Sequence, residues 1–213
     1  MAKVEFFYDY SSPWTYLAFT KIEGICQKYR ATLEWRPILV GGIFNTINPS
    51  VYEFRERGVP AKAKYSAKDL QDWARFYGLT IKNPPTVFPV NSVKSLRGAL
   101  VALEHPGKFM PYSYRVFEAY WGEDRDISKD AVLREIVEQV GLDPQEYFDQ
   151  INRQEYKDRL RANTEEVMAR GGFGTPTMFV NGSSMYFGND RLVLLEEELR
   201  RRERQVERTE SRG

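Results

Sequence analysis

Val4-Glu-Phe-Phe-Tyr-Asp-Tyr10, followed at once by Ser11-Ser-Pro-Trp-Thr15, is the stretch on which the fold turns. The first run is short, aromatic and apolar, and Ser-Ser-Pro ends it, which predicts a strand. Ser12 suits an N-cap, and Pro13 at the first helical position loses no useful N–H. Leu17, Ala18, Ile22, Ile25, Cys26 and Tyr29 then recur at helical spacing. Gly24 lowers that helix's stability by about 1 kcal/mol unless close packing requires it. Leu33-Glu-Trp-Arg-Pro-Ile-Leu39 predicts a second strand, with Pro37 near its end or on a sheet edge. A strand–helix–strand unit of this kind ordinarily pairs its strands in parallel.

Working outward, residues 61–170 read as helices. Ser66-Ala-Lys-Asp69 is expected to be a capping box before Leu70, Trp73, Ala74 and Tyr77. Ser95 is expected to cap the stripe Leu96, Ala99, Leu100 and Leu103, and Ser128 to open a helix closed by Gly141. Val116, Phe117, Tyr120 and Trp121 form a further stripe, and Leu160, Thr164, Val167 and Met168 the last. Thr177–Val180 and Ser183–Phe187, joined through Asn181-Gly182, read as a hairpin with a type I′ turn. Gly188-Asn189-Asp190 leads into a helix carrying Leu192, Leu195 and Leu199. The order is strand–helix–strand, helical block, hairpin, helix. It predicts an α/β, thioredoxin-like fold with a large all-helical insertion. Residues 1–60 and 171–205 would form the thioredoxin-like part, 61–170 the insertion and 206–213 a frayed tail.

Composition narrows the function. The chain has 213 residues, 31 Lys+Arg against 30 Asp+Glu, one His and one Cys. A single cysteine forms no internal disulfide and supplies no structural zinc cluster. A net charge of +1 gives no general attraction to nucleic acid or an anionic membrane. No apolar run approaches the roughly 18 residues of a spanning helix, and a cytoplasmic location is the expectation. His105, in Glu104-His-Pro-Gly107, reads as a helix end rather than a hydrolase's base.

In a thioredoxin-like enzyme a Cys-x-x-Cys pair stands at the N-terminus of the first helix, where free N–H groups stabilise a thiolate. Here those positions read Ser12-Pro-Trp-Thr15, so dithiol redox chemistry is excluded there. Ser12 is then either an N-cap alone or also a hydrogen-bond donor to a bound thiolate. Thr175-Pro176 is either an ordinary trans bond at a strand start or a cis turn exposing the Thr175 backbone to an extended ligand. Asn189 and Asp190 either cap the last helix or also receive a ligand's charged end. Asp9 reads as a buried, satisfied carboxylate before it reads as a catalytic one. Trp14, Phe44, Trp73 and Trp121 are core residues or the lining of an aromatic pocket.

Phe7-Tyr-Asp-Tyr-Ser-Ser-Pro-Trp-Thr-Tyr-Leu17, Arg36-Pro-Ile-Leu-Val-Gly-Gly-Ile-Phe44, Gly174-Thr-Pro-Thr-Met-Phe-Val180 and Phe187-Gly-Asn-Asp-Arg-Leu192 together resemble the 2-hydroxychromene-2-carboxylate isomerases and kappa-class glutathione transferases. These are relatives of the DsbA oxidoreductases. Lys62-Ala-Lys-Tyr65, Phe88-Pro-Val-Asn91 and Ala119-Tyr-Trp-Gly-Glu-Asp-Arg-Asp126 extend the likeness, which spans residues 3 to about 200. The resemblance implies a glutathione-dependent enzyme, homodimeric and without a metal, acting on a small aromatic or electrophilic substrate. It implies that Ser12 contacts the glutathione thiolate and that Thr175, before Pro176, pairs its backbone with the cysteinyl part. It further implies that Asn189 and Asp190 hold the γ-glutamyl end, with Asn48 and Lys62 nearby. Ser11 is the alternative should the register slip by one. A non-catalytic binding module on the same scaffold is the rival reading.

Overall fold

The structure, a computed structural model, describes residues 1–210, with the side chains of 54–56 and 206–210 left aside. Strand β1 (Lys3–Tyr8) ends two residues sooner than its apolar run, because the Ser12 N–H turns back to the Asp9 carbonyl. Helix α1 (Pro13–Lys28) follows, with Ser12 as its N-cap, and then β2 (Thr32–Pro37). The sheet has the order β2-β1-β3-β4, where β3 is Thr177–Val180 and β4 is Ser184–Phe187. β1 and β2 are parallel, with Phe6 opposite Trp35, and β3 is antiparallel to both its neighbours. β2 is an edge strand and Pro37 is its last residue, so the missing N–H interrupts no ladder. Asn181 and Gly182 both have positive φ (49° and 77°), as a type I′ turn requires.

β1 is central and buried on both faces, which explains its nearly unbroken apolar run. Val4, Phe6 and Tyr8 point into the main core, while Phe7 joins a smaller cluster with Ile38, Ile43, Val167 and Phe179. The main core passes without a break from these strand residues into the helical block, through Leu96, Tyr112, Phe117 and Trp121.

After β2 come two short helices that no apolar stripe announces, α2 (Val40–Thr46) and α3 (Ser50–Arg57). The block then holds α4 (Pro60–Tyr77), α5 (Val93–Glu104), α6 (Phe109–Phe117) and a π turn (Glu118–Gly122). It continues with α7 (Asp130–Gln139), α8 (Pro144–Ile151) and α9 (Gln154–Ala169). Three expected caps are displaced. Pro60, with its preset φ, opens α4 and leaves Ser66 inside the helix. Ser92 precedes α5, so Ser95 lies in its first turn and donates to the Ser92 carbonyl. Ser128 bonds Asp126 instead, and α7 starts at Asp130. Asp143 caps α8, a helix missing from the sequence reading. After β4 a 3₁₀ turn (Asn189–Arg191) leads into α10 (Leu192–Glu210). The expected frayed tail falls partly on this helix and partly on 211–213, outside the described residues.

Candidate active site

The β1–α1 turn and the segment before β3 meet at the N-terminus of α1, and the turn after β4 is bonded to that segment and packs on α1. Ser12 Oγ accepts the Thr15 N–H at 3.2 Å, the N-cap bond, and donates its own proton to the Thr175 carbonyl at 3.4 Å. The second contact is long and therefore weak. Thr15 Oγ1 meets Thr175 Oγ1 at 2.9 Å, both residues being buried, and Thr175 Oγ1 also reaches the Phe7 carbonyl. Thr15 occupies the place of a second sulfur in a Cys-x-x-Cys turn, yet it escaped the sequence reading as a site residue. Its position in that four-residue frame is the signal that marks it. Ser11 is engaged by Asp9 instead: its N–H donates to Asp9 Oδ1 at 2.9 Å and its side chain hydrogen-bonds the same carboxylate.

The Thr175-Pro176 bond is cis. The Pro176 carbonyl accepts the Gly188 N–H at 3.0 Å, which ties the proline loop to the Asn189–Asp190 turn. Asn189 is buried, and its side-chain Nδ2 has no hydrogen-bond partner. Asp190 is exposed and faces Arg191 at 3.2 Å. Asn48 Nδ2 donates to the Phe173 carbonyl at 3.0 Å while its Oδ1 accepts from Ser50, so this side chain pins the loop after α2 beside Gly174. Lys62 is exposed near the start of α4, and among the described residues no hydrogen bond or ion pair draws it toward Ser12.

Asp9 is wholly buried and takes two backbone N–H bonds. Burial pushes its carboxyl above the usual carboxylate range, against the pull of those bonds. Of the four aromatics considered above, Trp121 is plain core, its indole N–H held by the Tyr10 carbonyl at 2.8 Å. Trp14 and Trp73 are half-buried against the same core. Phe44 is different, because Gly174 lies between its ring and that of Phe187. Phe187 lies tilted against Phe173 with ring centres 4.4 Å apart, and both rings are partly exposed. Of this apolar wall beside Thr175, Phe44 was weighed as pocket lining, whereas Phe173 and Phe187 were not foreseen. Phe173 next to Gly174 and Phe187 next to Gly188 are the pairs that signal it.

Cys26 is buried, and burial pushes its thiol up to about 12, so it stays protonated and inert. His105 follows α5 and borders a depression with Val101, Leu142 and Gln150, away from Ser12, Thr175 and Asn189. Among the described residues no helix is long and apolar enough to cross a membrane.

Comparison with known proteins identifies the family and the fold. Residues 3–200 match the family model described as a DsbA-like thioredoxin domain. A 2-hydroxychromene-2-carboxylate isomerase of Pseudomonas putida is 30% identical, over 91% of this chain and 92% of its own. The human glutathione S-transferase kappa 1 is 27% identical, over 90% of this chain and 88% of its own. A solved structure of a 2-hydroxychromene-2-carboxylate isomerase superposes with a TM-score of 0.79 at 29% identity, covering 97% of this chain and 98% of that one. The chain therefore belongs to the DsbA-like thioredoxin family, among the enzymes resembling 2-hydroxychromene-2-carboxylate isomerases and kappa-class glutathione transferases.

Proposed function

We propose that the protein is a glutathione-dependent isomerase of 2-hydroxychromene-2-carboxylate or a similar aromatic 2-oxo acid precursor. The observation that carries the reading is Ser12 meeting the Thr175 backbone at the N-terminus of α1, with the Pro176 loop tied through Gly188 to the turn that holds the unpartnered Asn189 amide. These residues suit glutathione. A buried N–H donor without a partner fits a γ-glutamyl carboxylate, and the first turn of α1 carries no acidic residue to oppose a thiolate. When bound, glutathione supplies a thiolate that adds reversibly to the unsaturated substrate, frees rotation and leaves unchanged.

The chain's own part is to hold and poise that sulfur. Ser12 has one proton, and its present bond to the Thr175 carbonyl is weak, so turning it toward a thiolate costs little. That turn frees the Thr175 carbonyl for the backbone of an extended peptide. Asn189, with Asp190 beside it, holds the γ-glutamyl end. Asn48 keeps the loop after α2 in place, and Lys62 contributes a positive charge at longer range. Phe173, Phe187 and Phe44 give an aromatic substrate an apolar face close to the sulfur. A kappa-type transferase using the same thiolate is the second reading, favoured by the human relative.

Adding glutathione should produce an ultraviolet thiolate band at neutral pH. A hydrogen bond to a charged group contributes about 1.5–3 kcal/mol, so in Ser12→Ala the midpoint of that band should rise by about 1–2 pH units. Absence of the band in the wild type, with no retention on immobilised glutathione, would defeat the reading. Recovery of free glutathione after turnover separates isomerase from transferase.

A further inference from the structure

The reading above leaves the Asp9 carboxylate without a role, although it is wholly buried. Its two oxygens accept from separate segments, Oδ1 from the Ser11 N–H and Oδ2 from the Val40 N–H, each at 2.9 Å. The side chains of Ser92 and Ser11 also hydrogen-bond to it. One rigid group thus joins the turn that carries Ser12, the start of α2, which leads to Asn48, and the loop entering α5. Among the described residues no lysine or arginine pairs with it, and the titratable groups that face it are the phenols of Tyr8, Tyr10 and Tyr120. A buried carboxylate without a cation is a costly way to fill space. What it provides here is two acceptor atoms at a set separation, which hold the Ser11 and Val40 peptides in register.

We propose that Asp9 is a positioning residue of the site. By holding those two peptides it keeps the Ser12 hydroxyl aimed at Thr175 and the Asn48 loop against Phe173, and so sets the affinity for a bound thiolate. The thiolate part of this inference rests on the glutathione reading; the positioning part does not.

Asp9→Asn keeps the side chain's shape but replaces one acceptor oxygen with an N–H₂ donor, leaving one backbone N–H unpaired. Amide hydrogen exchange at Ser11, Ser12 and Val40 is expected to quicken about tenfold or more, with the amides of β1 and β3 unchanged. Glutathione affinity is expected to fall by about tenfold and the bound-thiolate midpoint to move upward in pH. Unchanged exchange at Ser11 and Val40 overturns the proposal, as does a midpoint that stays or falls. If the wild type binds no glutathione, the glutathione reading fails by itself and the exchange rates alone decide the role of Asp9. If Asp9→Asn does not fold, Ser92→Ala removes a single hydroxyl from the same carboxylate. It is expected to quicken exchange at Ser11 and Val40 by a few-fold, and no change there overturns the proposal.

Discussion

Asn189 is 3% exposed, yet its Nδ2 has nothing to donate to. Such an unmet donor costs about 1–3 kcal/mol in the free protein and regains that amount when a ligand accepts from it. Asn189→Ala should therefore weaken glutathione binding by about tenfold to a hundredfold in calorimetric titration. It should leave the melting temperature level or slightly higher, since no hydrogen bond of that amide group is lost. A large fall in melting temperature would instead mark a structural residue. Ser12 was legible in the sequence because an N-cap serine before a proline is a local arrangement. The bond between Thr15 and Thr175 was not legible, since 160 residues separate the partners.

Two glycines test the reading of the helices. Gly24 lies within α1 with open space where a Cβ would stand, so its helix gains nothing from the missing side chain. Gly24→Ala should stabilise the protein by about 0.5–1 kcal/mol in urea unfolding. In α5, a Cβ on Gly98 would fall inside the hydroxyl oxygens of Tyr147 and Tyr112, which hydrogen-bond each other at 2.8 Å. Gly98→Ala should destabilise by about 1–3 kcal/mol despite better helix propensity. Sequence distinguishes these two positions poorly, because both are single glycines inside an apolar stripe. On the other face of the sheet, Arg170, the C-cap of α9, reaches Glu5 of β1 at 2.7 Å and stands 3.8 Å above the Phe179 ring. The Glu5 side chain is only 8% exposed, and losing Arg170 leaves that buried charge with Lys3 alone, 4.0 Å away. Arg170→Ala should lower stability by about 3 kcal/mol, read from the denaturation midpoint at constant slope. Element ends were the least legible feature. Ser66, Ser95 and Ser128 all suit a cap, but Pro60, Ser92 and Lys129 hold the boundaries, so a cap-forming residue type alone does not fix where a helix begins.

At the scale of the molecule, carboxylates tie distant elements together. Hydrogen bonds from Lys28 hold Glu196 below its ordinary 4.5, which links α10 to α1. Burial raises Glu104, but Tyr156 and Arg159 outweigh it and link α5 to α9. Glu34 is likewise raised by burial and lowered overall by Lys3 and Arg36 across β1 and β2. A carboxylate lowered in the folded state contributes stability above its unfolded pKa and loses it as pH falls through the folded value. Asp9 has the opposite sign: raised above 3.8, its contribution is complete below that value and is lost as pH rises. Three ties outnumber one, so thermal stability should fall as pH drops below about 4.5. The α10–α1 contact should show faster hydrogen exchange first, because Lys28 is the most exposed of the cations that pair with the three. A melting temperature constant down to pH 3 would contradict this arrangement.

The sequence by itself determined the coarse order of strand–helix–strand, helical block, hairpin and helix, the parallel β1–α1–β2 unit, the Asn181-Gly182 turn and the absence of sulfur from the helix N-terminus. Each rests on patterns within a few residues of one another: a short apolar run, an N-cap, a two-residue turn, a missing side chain. Only the tertiary structure decided that Thr175-Pro176 is cis, that Thr15 meets Thr175, and that Asn189 is buried without a partner. It also decided that Asp9 joins Ser11 to Val40. Those facts depend on groups brought together across the chain by a continuous core, where burial rather than local pattern sets which polar groups meet and which are left over.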